Sequence, residues 1–61
     1  MDAYTYAKQE TEMPSFADAL YMCGSSKDEM WELYFAIRSK QDGKKQKFQE
    51  HLSNLKGYAR V

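Results

Sequence analysis

The sequence predicts an all-α fold, a small bundle of three short helices preceded by a loose N-terminal arm. Apolar residues recur at three- and four-residue spacing through most of the chain after Pro14. Serines stand where helices would begin, at Ser15 and Ser26, and Gly24, Asp42-Gly43 and Gly57 stand where they would end. These signals divide the chain into an arm over residues 1–13 and a single helical domain over 14–61.

The arm shows no sustained helical period. Tyr4 and Tyr6, two residues apart, would share one face of an extended strand, and the polar run that follows, Lys8-Gln9-Glu10-Thr11-Glu12, favours a tail that stays loose. The first helix is expected over 15–23. Ser15 can accept from a free amide of the first turn, Asp18 lies near the positive end of the dipole, and Phe16, Ala19, Leu20 and Cys23 form one apolar stripe before Gly24.

A second helix is expected over 27–41. Ser26 and Glu29 form a capping box, carboxylates crowd its start, and Arg38 and Lys40 lie near its end. Met30, Leu33, Tyr34 and Ile37 make one apolar face, and Trp31 and Phe35 widen it into a flank that a single neighbouring helix would not need. A third helix is expected over 45–56, with a narrow stripe of Phe48, Leu52 and Leu55 and a stop at Gly57, leaving Tyr58-Ala59-Arg60-Val61 as a tail. The short Asp42-Gly43 connection makes the last two helices an antiparallel hairpin. The expected core is Phe16, Leu20, Met30, Leu33, Tyr34, Ile37, Phe48, Leu52 and Leu55.

A chain of 61 residues buries only about 60% of the surface that its unfolded state exposes. Small domains often need a staple. Cys23 is the only cysteine and His51 the only histidine, so neither an intrachain disulfide nor a metal cluster of ordinary spacing is expected, nor any cofactor. Self-association is the remaining aid to stability, most simply as a symmetric homodimer. No run is long and apolar enough for a membrane span, and no basic-then-apolar leader is visible. With the lone cysteine, this points to a soluble protein of the cytoplasm, without a membrane partner.

The formal charge is zero, yet residues 1–32 hold seven acidic against two basic side chains and residues 33–61 the reverse. Such a chain can fold one half on the other or meet a second copy head to tail.

Catalysis needs converging acid, base and nucleophile. Cys23 and His51 could form a nucleophile and its base, but a packed thiol and a surface imidazole are the expected roles, and no catalytic residue is assigned. Residues 16–35 have the outline of a helix-turn-helix, but Asp28, Glu29 and Glu32 at the start of its second helix would repel a phosphate backbone. Arg38, Lys40, Lys44, Lys45 and Lys47 form a compact basic cluster, suited at most to weak, sequence-independent nucleic-acid contact. Trp31, Tyr34 and Phe35, with Met30, have the composition of a protein-contact hot spot. The expectation is a non-enzymatic protein-interaction module, a regulator, inhibitor or adaptor of the kind that bacteria and their viruses encode. It would pair with itself through the Trp31 and Phe35 flank. The alternative is a nucleic-acid-binding accessory protein that uses residues 38–47.

Overall fold

The computed structural model describes residues 1–58, and these form four helices in the order α1 (Ala3–Gln9), α2 (Phe16–Met22), α3 (Lys27–Gln41) and α4 (Lys45–Tyr58). The all-α class stands, and the expected count of three helices is corrected to four.

The additional helix lies in the segment expected to be a loose arm. Asp2 caps it, its carboxylate accepting from the Thr5 amide at 2.7 Å, and this hydrogen bond holds the carboxyl below its ordinary range. Ala3 and Ala7, four residues apart, are both fully buried. Their small side chains let the α1 backbone close on α3 and α4, so a helix of only seven residues is held by packing rather than by propensity. Tyr4 and Tyr6 are half-buried against the same core, and the Tyr6 hydroxyl donates to the Glu12 carbonyl at 2.7 Å. From α3, the Lys40 ammonium donates to the Glu10 carbonyl and the Gln41 amide to the Thr11 carbonyl, which ties down the chain leaving α1.

The remaining boundaries follow their caps. Ser15 accepts from the Asp18 amide as expected, and Ser26 accepts from the Glu29 amide, but the expected capping box is only half formed because the Ser26 amide donates to the Cys23 carbonyl rather than to the Glu29 side chain. Gly24 ends α2 at φ +58° and Ser25 follows at φ +68°, with the Ser25 amide reaching back to the Leu20 carbonyl. Gly43 does the same for α3 at φ +73°, with the Lys44 amide bonded to the Ser39 carbonyl. Gly57 does not stop α4, which continues through it to Tyr58; residues 59–61 of the expected tail lie outside the described residues. No helix among the described residues is long and apolar enough to cross a membrane.

α3 and α4 form the hairpin that the rest packs on. Lys40 lies over the Phe48 ring while Glu32 reaches His51 and Asn54, an antiparallel order of pairing. Leu33, Ile37 and Leu55 are the largest fully buried side chains, Met30 and Leu52 are buried beside them, and Tyr34 and Phe48 pack half-buried at the margin. Seven of the nine expected core residues are therefore in or against the core. Phe16 and Leu20 are not: they are 68% and 36% exposed. α2 turns the other edge of its stripe inward, burying Ala19 and Cys23, because these small residues let it lie close while the larger pair would hold it off.

Candidate functional site

The inward turn of α2 creates an open apolar groove between α2 and α3. Phe16 and Leu20, four residues apart on α2, form one wall; Met30, Trp31 and Tyr34 on α3 form the floor and the other wall; Ser25 and Lys27 close one end. It encloses about 360 Å³, within the range of a small ligand or anchor-residue site. Met30, 6% exposed, belongs to core and groove floor together, and Tyr34 is half-buried at its side.

Trp31 is 60% and Phe35 47% exposed, and their rings stack at a centroid distance of 5.6 Å. The stack continues onto α4, where the His51 ring lies 5.4 Å from Phe35. His51 is itself fixed from below, with Nδ1 2.7 Å from the Glu32 carboxylate, which also accepts from Asn54 at 3.2 Å. A carboxylate can only accept, so Nδ1 carries the proton in that contact, and the face of the imidazole ring lies against Phe35. Trp31, Phe35 and His51 thus form a stacked strip from α3 to α4, with Phe16 facing it across the groove.

Sequence reasoning singled out Trp31, Tyr34, Phe35 and Met30 but missed Phe16, Leu20 and His51. The apolar stripe of α2 has the same period whether it faces core or solvent, so periodicity alone could not separate them. The available signal was the pair of small residues at 19 and 23, which mark the edge that packs closely.

The basic cluster is not brought together as one free surface. Lys40 is committed to the Glu10 carbonyl and the Phe48 ring, 5.0 Å away, and partial burial lowers its pKa. Arg38 pairs with Asp42 at 3.4 Å. Lys44, Lys45 and Lys47 remain exposed around the start of α4.

Cys23, the C-cap of α2, lies on the inward edge of its stripe, 3% exposed, where burial, aided by the nearby Glu29 carboxylate, pushes its thiol up to about 11. His51 is engaged with Glu32 and Phe35 instead of the thiol. Among the described residues, no group of three or more His, Cys, Asp or Glu side chains could hold a metal ion. A second, more polar cleft runs past Asp2, Cys23, Glu29 and Tyr58; the Glu29 carboxyl there is raised by burial and by Asp2, and no cationic side chain among the described residues lines it. Comparison of the chain with protein-family models, with curated proteins and with solved structures finds no match.

Proposed function

We propose that the chain is a protein-interaction module, a regulator, inhibitor or adaptor acting by binding rather than catalysis, and that its contact surface is the aromatic strip and groove between α2 and α3. One observation carries this reading. A chain of 61 residues with little core to spare leaves Phe16 and Trp31 largely uncovered and Phe35 about half uncovered while it buries alanines. Isolated exposed apolar residues are ordinary, but a contiguous aromatic strip beside a groove is the surface that proteins use to meet one another. A cytoplasmic setting accords with a buried thiol left unpaired.

The nucleic-acid alternative draws less support, because Lys40 is engaged within the chain, Asp42 offsets part of the Arg38 charge, and three exposed lysines supply only weak, salt-sensitive attraction. Capture from source-cell lysate, with and without nuclease, separates the two. A protein retained by the parent, lost with Phe16→Ser or Trp31→Ser, and indifferent both to nuclease and to replacing Lys44, Lys45 and Lys47 by Gln supports the interaction module. Capture that vanishes with nuclease or with the lysine replacements refutes it.

A further inference from the structure

The exposed face of α3 carries a pattern that complements itself. At 3.6 residues per turn, positions 28, 31, 35 and 38 fall within an arc of about 80°, and Asp28, Trp31, Phe35 and Arg38 are all exposed. Their spacing is three, four, three, the same in either direction, and the residue order is acid, aromatic, aromatic, base. Laid antiparallel on a second α3 about a centre at residue 33, the row sets Trp31 against the partner's Phe35 and Asp28 against the partner's Arg38, each contact made twice. Laid parallel, it sets like charges together.

We propose, resting on the reading of this face as a contact surface, that its occupant is a second copy of the chain, paired in this antiparallel register as a two-fold symmetric dimer. Residues four apart form the ridge that helices most often interlock, at a crossing angle of about −50°, and Trp31 and Phe35 are such a pair. Phe16 and Leu20 stand beside the row and extend the apolar contact.

The area is sufficient. Phe16, Leu20, Trp31 and Phe35 are 68%, 36%, 60% and 47% exposed, which at about 200 Å² for a large side chain leaves roughly 400 Å² of apolar surface per copy. A stable interface uses about 800 Å² per partner, a little over half of it apolar.

The charges are available. Among the described residues the Asp28 side chain makes no hydrogen bond or ion pair, and the Arg38 side chain uses only Nε, toward Asp42, which leaves both terminal guanidinium nitrogens for a partner. The acidic and basic side chains of the two halves, among the described residues, likewise remain largely unpaired within one copy. Among the described residues the contact between oppositely charged side chains is Arg38 with Asp42, four residues away, and Glu32 is met by a hydrogen bond from the His51 ring. Antiparallel pairing also opposes the two helix dipoles and brings the acidic start of one α3 to the basic end of the other.

Sedimentation velocity of the full chain across the micromolar range, with far-ultraviolet dichroism as a check on folding, tests the register by charge reversal. The parent should be a dimer. Asp28→Arg and Arg38→Asp should each raise the dissociation constant about tenfold or more, since each sets like charges opposite one another twice. The doubly reversed chain should recover most of the loss. Asp28→Asn and Arg38→Gln form a milder series with the same expected direction, should a reversed chain fail to fold. A monomeric parent overturns the proposal, as does a dimer indifferent to both reversals or a double variant as weak as the singles. A monomeric parent whose lysate capture still depends on Phe16 and Trp31 would overturn self-pairing alone and leave the interaction module standing.

Discussion

Truncating Phe16 and Leu33 separately distinguishes an aromatic held for contact from one held for folding. Leu33 is fully buried in α3, and Leu33→Ala should cost about 2 to 5 kcal/mol, the transfer loss together with the cavity left behind. The total stability available to a chain of 61 residues is about 3 to 9 kcal/mol, so this variant should lose a large share of it. Phe16 is the larger side chain, and in a core its truncation would cost about 3 to 5 kcal/mol. Being 68% exposed, it covers only roughly 60 Å² of its own surface, worth about 1.5 kcal/mol at 25 cal/mol per Å². Alanine's better helix propensity returns about 0.5 kcal/mol of that. Urea unfolding followed by dichroism, at protein concentrations low enough to exclude association, reads both. With a slope of about 1 kcal/mol per molar urea, Phe16→Ala should lower the midpoint by about 1 M and Leu33→Ala by 2 M or more. Equal losses would mean that Phe16 is core and that the groove does not stand open in solution.

Three further outcomes follow from the packing and the ionisable groups. Ala7→Leu forces extra methylenes into the tight contact of α1 with α3 and α4 and should cost about 1 to 3 kcal/mol, seen as a lowered melting temperature together with protease cleavage near residues 8–12. Asp2, held below its ordinary carboxyl range in the folded state, contributes stability that is present above its unfolded value of 3.8 and lost as pH falls through the lower folded one. Asp2→Ala should therefore destabilise α1 by about 0.5 to 2 kcal/mol near neutrality, and the difference from the parent in urea unfolding should shrink below pH 4. Cys23, with its thiol pushed up to about 11, should react with a disulfide reagent at pH 8 only through unfolding, so its rate should rise steeply with urea and be slow without it.

The parts of the fold that could be read from the sequence are those in which a local signal and the tertiary outcome share one cause. Ser15 and Ser26 cap because their hydroxyls satisfy amides in the next turn, and Gly24 and Gly43 end helices because the chain there turns left-handed. The broad apolar set of α3 placed Met30, Leu33 and Ile37 inside and left Trp31 and Phe35 as surplus for the same geometric reason. α1 was illegible because its fully buried positions are two alanines, which carry almost no hydrophobic signal, so the period of two at the half-buried Tyr4 and Tyr6 stood out instead. Gly57 was read as a stop, yet its conformation within α4 is helical; glycine permits the left-handed turn without requiring it. The candidate site was half legible. Trp31 and Phe35 declared themselves by excess, whereas Phe16 and Leu20 match a core stripe, and only the neighbouring small residues decide which edge of α2 turns in.

Photo-crosslinking in cells tests the central claim, that the aromatic strip of α2 and α3 meets another protein chain, independently of which chain it is. A benzophenone side chain placed at position 31, at position 35, or at the remote exposed position 53 on α4 would be irradiated at native expression levels. Covalent adducts to protein should form at 31 and 35 and not at 53, and should disappear when Phe16→Ser is added at the groove wall. Adducts equally frequent at all three positions, or absent from 31 and 35, would contradict the claim.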